Sequence, residues 1–95
     1  MRVYVVTFQL DGDKDELAFS SNDYLIRGLV SYIQRASTRI SHQLLMYFEE
    51  YQEKECRPWE WLFTDLRGYG AFEFEKIFKP FDCKISCLIV DAGLD

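Results

Sequence analysis

Several features are scarce in this chain of 95 residues, which has one histidine, two prolines and no long hydrophobic run. A membrane-spanning helix needs about 20 consecutive apolar residues, and no stretch of the sequence approaches that length. The N-terminus has Arg2 followed by a strand-like run, without the small-residue cleavage site of a signal peptide. We therefore expect a cytoplasmic protein without a membrane segment.

Basic residues are also in deficit, because 11 Lys and Arg face 16 Asp and Glu, giving a formal net charge of −5. Nucleic-acid binding requires a basic footprint that neutralises phosphates, and anionic membrane surfaces attract basic segments in the same way. We expect neither kind of contact. The charge does suit a basic partner protein, since opposite charge speeds encounter.

The three cysteines, Cys56, Cys83 and Cys87, form an odd set. Without a secretory signal they are expected to be reduced thiols. Cys83 and Cys87 lie four residues apart in a predicted strand, which separates them by about 13 Å. That distance is too long for a disulfide between them.

The motifs of common enzymes and cofactor sites are missing. No cysteine lies near His42 in the sequence, so neither a Cys–His nucleophile nor a zinc site is indicated. The Gly68-Tyr69-Gly70 segment is too short for a phosphate-binding loop and lacks the Lys-Ser/Thr that should follow. Neither Gly-x-Ser-x-Gly nor His-Glu-x-x-His occurs. We expect no catalytic residue, no metal and no cofactor.

Three alternate aspartates, Asp11, Asp13 and Asp15, match the first half of a calcium-binding loop. The full pattern needs glycine at the sixth position and glutamate at the twelfth, where this chain has Glu16 and Asn22. A strand also precedes the segment in place of the required helix. The preferred interpretation is a solvated hairpin turn.

Aromatic residues, in contrast, are abundant, with eight Phe, six Tyr and two Trp making up 17% of the chain. Large aromatic side chains supply much of a core from few residues. A chain of this length buries one core and no second one. We expect a single globular domain over residues 1–95.

Residues 1–10 are rich in β-branched and aromatic types, which predicts a strand. The core face of this strand is predicted to be the apolar alternate set Tyr4, Val6, Phe8 and Leu10. A polar turn over 11–16 and a short strand over 17–20 would complete a β-hairpin, since the turn contains Asp-Gly. Residues 83–90 predict a further strand that pairs with the first.

An apolar stripe with steps of three and four residues predicts a helix over about 22–55. The weak point is Ser37-Thr38, because both residues form helix poorly and can cap a new one. We favour one continuous helix since the stripe keeps its phase, and a break near Ser37 is the alternative. Unbroken, the helix would be about 50 Å long and would project beyond its domain. The stripe consists of Leu25, Leu29, Tyr32, Ile33, Ala36, Ile40, Leu44, Tyr47, Phe48 and Tyr51.

Two shorter segments follow the long helix. A helix over about 58–67 is predicted to begin at Pro58. Residues 71–78 fit either a helix or a strand, and their Ala, Glu and Lys favour the helix. The predicted fold class is α+β, a small antiparallel or mixed sheet of three to four strands with a long central helix (about 22–55) and a short second helix (about 58–67) packed on one face.

Acidic residues crowd the end of the long helix, where each opposes the helix dipole by a few tenths of a kcal/mol. Aromatic residues beside charge are common at binding hot spots. A solvated surface over an aromatic core is the alternative interpretation. The candidate partner-binding residues are Glu49, Glu50, Tyr51, Glu53, Glu55, Trp59, Glu60 and Trp61.

Together these features predict a small acidic protein-binding module. We expect it to act as an inhibitor, immunity protein, antitoxin or phage anti-defence protein that masks a basic surface on a partner. One alternative is a homodimeric structural or regulatory subunit, in which the long helix pairs with its symmetry mate. The other is a small ligand-binding domain or enzyme that uses an aromatic pocket with Cys56 or Cys87.

Overall fold

The computed structural model describes residues 2–20, 22–65 and 67–89. The strands and α-helices of these residues are, in order, β1 (Arg2–Leu10), β2 (Asp13–Phe19), α1 (Asn22–Arg35), α2 (Arg39–Glu55), α3 (Tyr69–Phe78) and β3 (Lys84–Ile89). Two 3₁₀ turns, Trp59–Phe63 and Lys79–Phe81, lie on either side of α3. The predicted α+β fold class is thereby confirmed.

The sheet is antiparallel, and β1 lies at its centre in the order β2-β1-β3. The hairpin forms as predicted, but its turn contains only Asp11 and Gly12, because Leu10 already pairs with Asp13. Both turn residues have positive φ, 50° and 91°, the geometry that Asp-Gly favours in two-residue hairpins. The polar turn expected over 11–16 is therefore wrong, since residues 13–16 belong to β2.

One face of the sheet is covered by helices and builds the core. Val6 and Phe8 are fully buried on this face, and Tyr4 and Leu10 pack against the core while partly buried. The predicted core face of β1 is confirmed. Both α1 and α2 contact the hairpin from this side.

The helix expected to run unbroken over about 22–55 is in fact two helices, and the prediction of continuity was wrong. Thr38 has extended backbone angles (φ −93°, ψ 160°) and caps α2. Its side-chain oxygen accepts a hydrogen bond from the Ser41 N–H, and the Ser41 hydroxyl accepts one from the Thr38 N–H, each at 3.1 Å. This reciprocal capping satisfies two amide groups that a helix start otherwise leaves unpaired, so the break near Ser37 is stable.

The predicted apolar stripe nevertheless faces the core on both sides of the break. The helices have 14, 17 and 10 residues. In the described part of the chain, none of them is long and apolar enough to cross a bilayer. The buried stripe residues are Leu25, Leu29, Tyr32, Ile33, Ile40, Leu44, Phe48 and Tyr51.

In the segment expected to be helical over about 58–67, residues Trp59–Phe63 form a 3₁₀ turn in place of an α-helix, and Leu66 lies outside the described residues. The turn ends where the Thr64 hydroxyl donates to the Trp61 carbonyl at 2.7 Å, a local bond that competes with helix continuation. The helix favoured over 71–78 is confirmed as α3. The strand expected over 83–90 is confirmed as β3, and its last predicted residue, Val90, lies outside the described residues.

Aromatic rings form the centre of the core between the sheet and α2 and α3. The Phe48 ring lies 5.0 Å from Trp59 and 5.7 Å from Phe78, measured between centroids. Phe78 in turn stacks 5.6 Å from Phe8 on the sheet. This cluster packs the inner face of α2 and leaves its opposite face to solvent.

Candidate functional site: an acidic groove on the second helix

The outer face of α2, together with the chain just after it, forms an open groove of about 890 Å³. We call it the acidic groove. Three of the predicted partner-binding residues, Glu49, Glu50 and Glu53, lie in it, all exposed. They are neighbours because residues three and four apart share one side of a helix. The described residues that line it are His42, Leu45, Met46, Glu49, Glu50, Gln52, Glu53, Cys56, Arg57 and Pro58.

The carboxylates of the acidic groove carry unbalanced charge. Within the described residues, Glu49, Glu50 and Glu53 make no ion pair and no side-chain hydrogen bond. Like charges three and four apart on a helix destabilise it by about 0.2–0.5 kcal/mol per pair. These residues also lie toward the negative end of the α2 dipole, which lowers the stability of the helix further.

Arg57 also lines the groove but makes no ion pair with these carboxylates among the described residues. The guanidinium carbon of Arg57 lies 4.3 Å from the centroid of the Trp61 ring, a cation–π contact. Trp61 is half-buried and does not line the groove, whereas Arg57 does. The contact holds the guanidinium of Arg57 against the Trp61 ring.

Two aromatic residues of the predicted site, Tyr51 and Trp59, are buried in the core. The Trp59 backbone N–H donates to the Gln52 side-chain oxygen at 3.2 Å, which ties the 3₁₀ turn to α2. The Tyr51 hydroxyl is buried, and no described residue hydrogen-bonds to it; burial raises the pKa of Tyr51 above its ordinary value. Neither residue lines the acidic groove.

Two glutamates of the predicted site lie apart from the acidic groove. Glu55 accepts a hydrogen bond from the Tyr69 hydroxyl at 2.9 Å, and this bond raises the pKa of Tyr69 to about 12. Glu60 lines a separate groove with Arg27 and Arg35 of α1. The structure thus gathers three of the predicted glutamates and separates the other two from them.

Asp11, Asp13 and Asp15, which match the first half of a calcium-binding loop, all contact other side chains of the protein. Arg39, the first residue of α2, lies 3.1 Å from an Asp11 oxygen and 3.3 Å from an Asp13 oxygen. Both ion pairs are exposed and are worth little individually. They tie the hairpin turn to the start of α2, so the turn is not merely solvated.

Asp15 makes the stronger contacts of this set. Its carboxylate accepts from the Thr38 hydroxyl at 2.6 Å and from the Tyr32 hydroxyl. Burial and this carboxylate together raise the pKa of Tyr32 well above its ordinary value. Through Asp15, strand β2 is joined to both helices at the break between them.

His42 and Cys56 both line the acidic groove, but they lie 14 residues apart, about 21 Å along the helix axis. Cys56 follows α2 in a left-handed conformation (φ 54°), whereas Cys87 lies on β3. Burial, with a contribution from the charge of Asp82, raises the pKa of the Cys83 thiol to about 11. No group of three or more potential metal ligands occurs in the described part of the chain.

Two residues that line the groove, Met46 and Arg57, are absent from the predicted partner-binding residues. Met46 is 47% exposed, and it precedes Glu49 by three residues and Glu53 by seven, so helical spacing places all three on one face. Arg57 lies beyond the end of α2, where helical spacing no longer predicts which way a side chain points.

Comparisons with protein-family models, with curated proteins and with solved structures found no match to this chain.

Proposed function

We propose that this protein is a small binding module whose acidic groove recognises a basic surface on a partner protein. The observation that supports this most is the trio Glu49, Glu50 and Glu53, exposed and unpaired within the described residues beside the exposed apolar side chain of Met46. A basic partner relieves the repulsion among the three carboxylates. It also covers apolar surface, which contributes about 25 cal/mol per Å².

The partner chemistry that fits the groove is a segment rich in arginine. A guanidinium binds a carboxylate through two parallel hydrogen bonds, and its stem packs on an apolar side chain such as Met46. The net charge of −5 steers such a partner toward the protein. Masking a basic, nucleic-acid-binding surface in this way is the mode of action we propose, as an inhibitor, immunity protein, antitoxin or anti-defence protein.

A cytoplasmic location belongs to the same proposal. All three cysteines are free thiols, which suits a reducing compartment. The alternative of a homodimer was based on one helix over 22–55 that would project beyond the domain. Since the segment forms two shorter helices, this reason for a dimer through the helix does not hold. No specific observation favours an enzyme or a small-ligand site over the binding module.

The test is the affinity for a fluorescent arginine-rich peptide at low salt. The variant Glu49→Lys/Glu53→Lys is compared with the control Glu16→Lys/Glu75→Lys, whose substituted residues are exposed and lie on β2 and α3. Each Glu→Lys change adds two positive charges, so both variants shift the net charge from −5 to −1.

The groove variant is expected to bind the peptide about tenfold more weakly than the wild type, because two exposed charge interactions of up to about 1 kcal/mol each are reversed. The control should retain most of the affinity. Equal losses in both variants would show that only net charge matters, and the groove would then not be the binding site.

A further inference from the structure

Strand β3 forms one edge of the sheet, and four of its six residues, Ile85, Cys87, Leu88 and Ile89, are apolar. All six are exposed. Ile85, Leu88 and Ile89 are respectively 54%, 52% and 82% exposed. An edge strand presents a row of unpaired backbone N–H and C=O groups, which another strand can pair with.

The opposite edge of the same sheet, strand β2, is protected from pairing by charged side chains. Strand β2 carries four consecutive charged residues over 13–16, and charged side chains are a common way to prevent edge-to-edge pairing. In β3 the only charged residue is Lys84, at its start, and the strand has no proline. Among the described residues, charge protects the β2 edge and no strand pairs with the β3 edge.

We propose that β3 pairs antiparallel with β3 of a second copy, centred on Cys87, so that two three-stranded sheets join into one of six strands. In the β1–β3 ladder, Ile85 is opposite Val6 and Cys87 is opposite Tyr4. The side chains of residues 85, 87 and 89 therefore point to the same side of the sheet as the helices, although they are exposed at its edge. A two-fold axis perpendicular to the sheet keeps both sets of helices on one side.

This register makes the edge complementary to itself. Ile85 of one copy lies opposite Ile89 of the other, and the two Cys87 side chains face each other. The two Lys84 side chains lie at opposite ends, about 20 Å apart at 3.3 Å per residue, beyond the Debye length of about 8 Å at physiological salt. On the face of Cys87 the opposed residues are therefore apolar, on the other face Ser86 lies opposite Leu88, and the two Lys84 side chains are kept apart.

The paired area sets the expected strength of this dimer. A single strand pairing covers less than the roughly 1,200 Å² of total area at which stable interfaces begin. The dimer is therefore weak, and monomer and dimer exchange with concentration. The acidic groove lies on α2, which packs against β1 and β2, so dimerisation does not depend on the proposed function.

Sedimentation velocity over a range from low micromolar to near-millimolar protein tests the proposal. The wild type is expected to shift from 11.3 kDa toward twice that mass. Ile89→Lys should raise the dimer dissociation constant at least tenfold, because each interface then places two lysines against apolar residues. The control Phe72→Lys, which changes a 64% exposed side chain on α3, should dimerise like the wild type.

Thiol cross-linking with a short bismaleimide gives an independent readout of the register. Opposed residues in antiparallel strands have Cβ atoms about 5 Å apart, so cross-linked dimer should persist in Cys56→Ser and disappear in Cys87→Ser. A wild type that stays monomeric at the highest concentration overturns the proposal. So does an Ile89→Lys variant that dimerises normally, or cross-linking that depends on Cys56 alone.

Discussion

Replacing Glu53 by lysine is expected to make the protein more stable, although it removes a residue of the proposed binding site. Glu53 lies in the last turn of α2, two residues before the helix ends at Glu55. It is exposed, and no basic side chain among the described residues pairs with it. A lysine at this position would complement the negative end of the helix dipole.

The size of the effect follows from two contributions. Exchanging an acidic for a basic residue in the last turn is worth about 0.3–1 kcal/mol through the dipole at low salt. The like-charge pairs with Glu49 and Glu50, at four and three residues, become attractive, each with an effect of about 0.2–0.5 kcal/mol. Allowing for screening at an exposed site, we expect about 1 kcal/mol of added stability, or a rise of about 4–8 °C in Tm for a domain of this size.

Thermal unfolding followed by circular dichroism at low salt measures this change. Glu16→Lys is the control, since it alters the net charge equally on a strand that has no helix dipole. The gain should shrink in 1 M salt, where the Debye length is about 3 Å. A Tm that falls or stays constant in Glu53→Lys would refute the inference that these carboxylates destabilise the fold.

Three further predictions concern the core and the cysteines. Tyr32→Phe should cost about 1.5–3 kcal/mol in denaturant unfolding, because a hydrogen bond to the Asp15 carboxylate is lost. The raised pKa of Tyr32 adds a pH signature: the wild type should lose stability as the pH rises above about 10, and the variant should lose less, because only the raised pKa values of Tyr51, Tyr69 and Cys83 still contribute. Gly70→Ala should destabilise the protein despite alanine's better helix propensity, since the new Cβ would lie 2.3 Å from the Asp65 carbonyl oxygen; an unchanged Tm would contradict this. In alkylation followed by mass spectrometry, Cys83 should react far more slowly than the two exposed cysteines at neutral pH and faster as the pH approaches its pKa of about 11; equal rates would contradict the burial of this thiol.

Periodicity was sufficient to predict most of the fold. Alternation over 1–10 identified the core face of β1, and the three-and-four spacing identified the buried stripe of α1 and α2. The break between these helices was not predictable from the stripe, because Ile33 and Ile40 keep the same phase on either side of it. It depends on the capping by Thr38 and on a hydrogen bond to Asp15, 23 residues away in the chain.

The strand β2 was predicted too short for a related reason. Residues 13–16 are charged, and a charged segment after Asp-Gly is typical of a loop. In the structure they form a strand at the sheet edge, where charge is tolerated on both faces and prevents further pairing. Edge position is a tertiary property, and local composition does not reveal it.

For the candidate site, helical spacing was enough to group Glu49, Glu50 and Glu53. It also placed Tyr51 in the apolar stripe, and Tyr51 is buried, although it was a candidate binding residue as well. Helical spacing did not show that Trp59 is buried, because that depends on the aromatic rings that pack against the 3₁₀ turn. Nor did it show that Glu60 is separated from the groove, since that depends on the path of the chain after α2.

The most direct test of the acidic groove is a heteronuclear NMR titration of the isotope-labelled protein with a short arginine-rich peptide. We expect the largest shift changes at amides over residues 45–57, which bear the groove, and smaller changes in Glu49→Lys/Glu53→Lys. Shift changes concentrated on the hairpin or on α3 would place the basic partner elsewhere and contradict the proposed function.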